Sequence, residues 1–150
     1  MDGLPERRHL AHGVKATADG PTIVFVTATV HHRRALLANG RLHAMLVDVW
    51  RSAAASTVGR YVVLPDHLHL FATPAGDLPL DNWVRFWKGR FTRVFGEAIW
   101  QTDHFDTRMR TATTYGEKQA YVLENPVRAG LVTRAADWPY AGELNALVWR

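Results

Sequence analysis

Two apolar runs that meet at Pro65-Asp66 constrain the fold of this chain more than any other stretch. Thr57 to Leu64 is rich in β-branched residues and reads as a strand, ended by Pro65, whose missing N–H cannot serve a central ladder. The H-x-H run from His67 follows at once as its hairpin partner, so an antiparallel sheet is expected. If Leu68 to Ala72 is extended, His67, His69 and Phe71 share one face of the sheet, and Leu68, Leu70 and Ala72 share the other. The two imidazoles then point the same way, with Cβ atoms roughly 6.5–7 Å apart, twice the strand rise. That spacing suits one metal ion gripped between them. Imidazole is a common ligand for Mn, Zn, Fe and Cu, whereas Mg prefers oxygen and would need other ligands or substrate phosphate. Taken alone, such a pair is more often just two histidines on a half-exposed sheet face, so the rest of the chain has to decide.

Upstream, Thr22 to Val30 (TIVFVTATV) reads as a buried first strand, central in the sheet. Arg41 to Ala55 places Leu42, Met45, Leu46, Val49 and Ala53 on one stripe of an amphipathic helix. Asp81 to Phe95 is helical by the same period, with Trp83, Val84, Trp87, Phe91, Val94 and Phe95 on the packing side. Arg85, Lys88 and Arg93 lie opposite, with Arg90 at the border and no acid between Asp81 and Glu97. Such a face is either simply solvated or tracks phosphates, each neutralised phosphate then adding about 0.7 to 0.9 to the salt slope of binding. Trp100 to Met109 reads as a short strand or irregular edge. Thr114-Tyr115-Gly116-Glu117 matches a capping box, so a helix is expected to start with Thr114 as N-cap and to run to about Asn125, because Pro126 disfavours helical geometry before it. Gly116, Ala120 and Leu123 would form its packing stripe. Tyr121 shares the polar side with Glu117, Lys118, Glu124 and Asn125. Trp138-Pro139-Tyr140 is expected to cap the core.

At 150 residues with 47% hydrophobic and 21% charged side chains, the chain has ordinary globular usage and length for one domain, residues 21–150, after a flexible arm over residues 1–20. Its net charge of +4 and pI near 9.8 favour a polyanionic partner. Without cysteine there is neither a disulfide framework nor a thiolate metal site. No apolar run approaches a membrane span and the N-terminus lacks a secretory apolar core, so a cytoplasmic protein is expected, with no membrane partner.

A strand-borne histidine pair, plus a helix carrying a tyrosine and an amide one turn apart, is a nuclease constellation. A metal would polarise a phosphodiester, a phenol attack it, and an amide oxygen complete the metal shell. The stretches YVVLPDHLHLF, WKGRFTRVFG, WQTDHFD and, most specifically, YVLENPVRAGLV followed by DWPY resemble the REP-associated tyrosine transposases, single-tyrosine enzymes of the HUH (His-hydrophobic-His) type. The resemblance runs from about Phe25 to Tyr140. It implies an α+β fold: a ferredoxin-like (RRM-like) antiparallel sheet with helices packed on it. It also implies His67 and His69 as metal ligands, Tyr121 as nucleophile, and Asn125 as the amide completing the site; the carboxylates around Tyr121, Glu117 and Glu124, offer an alternative ligand, with Glu117 ranked below Asn125. Members are described as cutting single-stranded DNA beside hairpins with Mg2+ or Mn2+, leaving a 5′-phosphotyrosine and a free 3′-OH.

The leading expectation is therefore a DNA transposase that nicks and rejoins hairpin-associated single strands of REP-like repeats, as a monomer in preference to a homodimer. Arg85, Lys88, Arg90, Arg93, Arg108 and Arg110 are candidates for backbone contacts, and Lys118 for activating the phenol. Arg128 could join them, although the preferred reading is that Arg128 and Gly130 shape the turn after the helix. His104 matches no catalytic position and reads as structural or solvent-facing. Two other classes compete: a non-catalytic single-stranded DNA or RNA-binding module of the same fold, and a metal-dependent phosphodiester hydrolase using water as nucleophile.

Overall fold

The structure, a computed structural model, describes residues 22–75 and 79–149. The arm expected over residues 1–20 lies outside the described residues. Strand β1 (Val24–Thr29) is followed by helix α1 (Gly40–Ser52), the hairpin of β2 (Ser56–Val63) and β3 (His67–Pro74), helix α2 (Leu80–Phe95) and strand β4 (Phe105–Arg108). Then come helix α3 (Ala112–Leu123), the single turn α4 (Asn125–Arg128) and strand β5 (Ala141–Glu143). The strands form one sheet in the order β4-β1-β3-β2-β5, and every pairing is antiparallel. The first six of these elements make the βαββαβ order of a ferredoxin-like fold, and β5 adds a strand outside β2. The expected α+β architecture is the one found.

The hairpin turns within two residues: the Leu64 N–H donates to the His67 carbonyl at 2.8 Å, leaving Pro65 and Asp66 as the loop. β1 lies between β3 and β4, with Thr27 opposite His69, Thr29 opposite His67 and Phe25 opposite Phe71. Strand alternation then divides the molecule into two layers.

On one face of the sheet, Val24, Val26, Ala28, Leu68 and Leu70 pack against α1 and α2, which bury Leu42, Leu46, Val49 and Trp50 and Trp83, Val84, Trp87 and Phe91. The Asn39 side chain caps α1 by accepting from the Leu42 N–H at 2.9 Å. Trp83 ties the two helices together by donating its indole N–H to the Ala53 carbonyl at 2.7 Å. The indole N–H groups of Trp50, Trp87 and Trp100 have no acceptor among the described residues. Their rings meet edge to face instead, Trp87 lying 5.8 Å from Trp50 and 5.3 Å from Trp100 between centroids. Val94, expected in this stripe, turns to solvent at 62% exposure.

The opposite face carries Phe25, Val62, Leu64 and Phe71 beneath α3 and the C-terminal segment. Trp138 closes this side as expected, donating to the Val63 carbonyl at 2.9 Å. The start of α3 differs from the expectation. Thr111 is the N-cap, its hydroxyl accepting from the Thr114 N–H at 3.0 Å, and Thr114 lies in the first turn. The packing stripe is also different: Tyr115 and Val122, two turns apart, are buried, whereas Gly116 and Ala120 are exposed. The reason is the bulk of Tyr115, whose ring sits edge-on to Phe71 at 5.3 Å.

Candidate active site

One cavity of about 260 Å³ on the α3 face is lined by His67, His69, Tyr121, Asn125 and Lys118, together with Thr27, Arg33 and Phe105. β3 supplies the histidines, α3 the tyrosine and lysine, and α4 the amide. The Pro126 turn begins a new helix immediately after α3 and keeps Asn125 on the cavity side.

The two rings lie 4.9 Å apart between centroids, nearly perpendicular. Each is held through Nδ1. His67 Nδ1 is 2.7 Å from Asp66 Oδ1, and Asp66 Oδ2 in turn accepts from Arg33 Nε at 2.9 Å. His69 Nδ1 is 2.7 Å from the Thr27 hydroxyl, and its ring stacks on Phe25 at 5.2 Å. Nε2 is therefore the nitrogen each imidazole keeps for a ligand, and the hydrogen-bonded Nδ1 fixes the ring. Burial holds both histidines below the usual imidazole value, His69 well below it; Asp66 opposes the shift at His67, while the neighbouring His67, Lys118 and Arg128 add to it at His69. Burial raises Asp66, but His67 and Arg33 outweigh it and leave its carboxyl below the usual range. Neutral imidazoles beside an ionised second-layer carboxylate, with an amide oxygen in the same wall, form a donor set that fits a divalent metal.

Tyr121 is half exposed at the cavity mouth. Cations bracket its ring: Lys118 Nζ lies 5.5 Å from the centroid and the Arg128 guanidinium 3.7 Å. Burial lowers Lys118 from the ordinary lysine value. Arg128 also donates to the Tyr121 carbonyl and, at 2.5 Å, to Asn125 Oδ1. Gly130 follows in the left-handed region at φ 75°, where a Cβ would be strained, and lets the chain leave the turn. Arg128 thus shapes the turn and reaches the site as well. Glu117 and Glu124 are exposed and do not line the cavity.

The cationic residues separate by layer. Arg85, Arg90 and Arg93 are exposed on the outer side of α2, which covers the face of the sheet opposite the cavity. Arg108, the last residue of β4, and Arg110, between β4 and α3, are exposed. Lys88 corrects the expectation of a phosphate-facing side chain. It is 8% exposed, and its ammonium donates to the carbonyls of Gln101 at 2.9 Å and Asp103 at 3.3 Å, latching the loop that precedes β4. Lys88 lies four residues after Val84 and three before Phe91, so the helical period sets it at the edge of the packing stripe, from which its long side chain reaches inward.

Burial pushes the Lys88 ammonium down from 10.5 to about 8. The unfolded chain then binds this proton more readily than the folded one, a penalty present below pH 8 and relieved as pH rises towards 10.5. Wild type is expected to gain on Lys88→Met by on the order of 3 kcal/mol across that window, the free-energy equivalent of the shift. Urea unfolding of both proteins at stepped pH checks it, and a pH-independent difference would contradict it.

Asp81, His104 and Asp106 bring three further ligand atoms within 4.8 Å of one another, a group that could hold a metal ion. It lies on the α2 side: Asp106 is opposite Val26 of β1, whose side chain faces α2. His104 is half-buried and turned inward, its Nε2 lying 2.9 Å from Asp106 and 3.3 Å from Asp81.

Sequence reasoning assigned no role to Thr27, Arg33 or Asp66. Thr27 could have been found by strand alternation once the β1–β3 register was known. Arg33 had no local signal, because it reaches Asp66 from a left-handed backbone at φ 55°.

The chain is 30% identical over 122 residues to the REP-associated tyrosine transposase of Escherichia coli K12, covering 78% of this chain and 73% of that protein. The chain belongs to the REP-associated tyrosine transposase family. A solved REP-associated tyrosine transposase, bound to a REP hairpin, matches with a TM-score of 0.76 and 27% identity over 92% of this chain and 82% of that one. A crystal structure from Deinococcus radiodurans, 17% identical with a TM-score of 0.52 over 68% of this chain and 88% of its own, shares the fold. No family model matches. The transposase relatives support a transposase function for this member of the family. Among the described residues no helix is long and apolar enough to cross a membrane.

Proposed function

We propose that this protein nicks and rejoins hairpin-associated single-stranded DNA through a 5′-phosphotyrosine, with His67, His69 and Asn125 holding Mg2+ or Mn2+. The observation that carries the reading is the convergence of both histidines, Tyr121 and Asn125 on one cavity. A divalent cation there would polarise the scissile phosphate and neutralise charge developing on it. Tyr121 Oη attacks phosphorus; the new O–P bond forms as the bond to the 3′ oxygen breaks, and the 3′ oxygen leaves with a proton equivalent to the one the phenol gives up. The phosphotyrosine keeps the bond energy, so a 3′-OH can attack it and restore a DNA strand without a nucleotide cofactor. Lys118, whose ammonium lies beside the ring, is the residue this reading assigns to activating the nucleophile.

All four groups come from one chain, which suits a monomer acting on DNA in the cytoplasm, and residues 21–150 form the single domain of this reading. DNA backbone contacts fall to Arg33, which lines the cavity, with Arg85, Arg90, Arg93, Arg108 and Arg110 available to a hairpin that wraps beyond it. Labelled hairpin single strands incubated with Mg2+ or Mn2+ are expected to give a denaturant-resistant protein–DNA adduct that chelator prevents. Salt-sensitive binding of several hairpins without cleavage would instead support the binding module, and cleavage with no adduct the hydrolase.

A further inference from the structure

A second cavity, of about 440 Å³, adjoins the first and shares His67 and Asn125 with it. Its remaining wall includes Leu64, Pro65, Leu131, Asp66 and Arg128. The hydrocarbon of this wall suits a base and the Arg128 guanidinium its phosphate, while the Asp66 carboxylate is already engaged by His67 and Arg33. Arg128 stands between the two cavities: its guanidinium covers the Tyr121 ring and donates to Asn125 Oδ1. A cation bonded to that oxygen opposes a second cation on it, so the amide cannot serve Arg128 and a metal equally well.

We infer that the second cavity seats a nucleotide next to the scissile phosphate, and that Arg128 is the receptor for its phosphate, releasing Asn125 Oδ1 to the metal as it turns. The inference rests on the metal-site reading above. Arg128 is a positioning residue for Asn125 before DNA arrives and a DNA ligand afterwards. Metal and DNA then strengthen each other's binding, because each favours the arrangement in which Arg128 has left the amide. The device also keeps the metal site incomplete while no strand is in place.

The test uses full-length Tyr121→Phe protein, which cannot form the adduct, and Mn2+ affinity measured by electron paramagnetic resonance with and without hairpin DNA. Arg128→Gln in that background is expected to bind Mn2+ about tenfold more tightly in the absence of DNA. Hairpin DNA is expected to tighten Mn2+ binding about tenfold in the parent and by less than threefold in Arg128→Gln. A neutral methylphosphonate at the linkage beside the cleavage position should weaken DNA binding in the parent and add nothing in the variant. Arg128→Lys, which keeps the charge but lacks the planar fork, provides a second variant and should fall between them. Unchanged or weaker Mn2+ binding by both folded variants would overturn the inference. Mn2+ binding that survives His67→Ala would overturn the metal-site reading itself, and the inference with it.

Discussion

Tyr121→Phe is expected to abolish the covalent protein–DNA adduct and to lower strand cleavage at least about a thousandfold, the scale of losing a nucleophile that works as part of a unit. The change deletes one oxygen and little else. The ring is half exposed, and its contacts with Arg128 and Lys118 are made by the aromatic face, so phenylalanine can occupy the same place. Hairpin affinity should therefore stay within about twofold of wild type and the melting temperature within about 1 °C. A denaturing gel with 5′- and 3′-labelled strands reads the adduct, and a mobility shift on the same samples reads binding. Cleavage that persists in the variant would identify water as the nucleophile. Loss of binding in parallel with cleavage would assign Tyr121 to DNA contact.

Trp87→Ala is expected to destabilise the fold by about 3–5 kcal/mol, the cost of removing a fully buried aromatic side chain and leaving a cavity. Trp87 is 0% exposed and stands between Trp50, Trp83 and Trp100, so its loss undoes contacts to α1, within α2 and to the segment before β4. For a chain of this size the melting temperature should fall by about 10 °C. Trp87→Phe should cost clearly less, since the indole N–H has no acceptor among the described residues and the T-shaped packing can be kept. Calorimetry on the three proteins separates the outcomes, and equal losses would show that the pyrrole half of the ring carries the packing.

The sheet and the two helices on its far side were legible because their residues repeat at simple periods. The β2–β3 hairpin was marked by Pro65, and α1 and α2 by their stripes of large apolar residues. α3 was less legible, since its Thr-rich start offers two hydroxyl caps three residues apart, and only the position of Phe71 across the sheet selects Tyr115 as the buried aromatic. In the site, spacing alone put His67 and His69 on one face, and the helical turn put Tyr121 near Asn125. What joins the two pairs depends on the β1–β3 register and the fold of α4, neither of which is local in sequence. Lys88 shows the same limit from the other side. The sequence reading set it opposite the packing stripe, although Val84 and Phe91 share its face, and the Gln101 and Asp103 carbonyls that capture it belong to a loop thirteen to fifteen residues away.

The division of the tryptophans between layers has an optical consequence. Trp50, Trp83, Trp87 and Trp100 lie in the layer away from the cavity, close enough to exchange excitation among themselves. Trp138 and Trp149 lie on the cavity layer, where Trp149 stacks 6.1 Å from Tyr115 and Trp138 rests on β2. Emission from the first group therefore reports loss of the helical layer and is nearly blind to a strand in the cavity. With Trp138 and Trp149 replaced by phenylalanine, the chain's own fluorescence becomes a clean meter of unfolding. With those two alone retained, it becomes a meter of events on the cavity side.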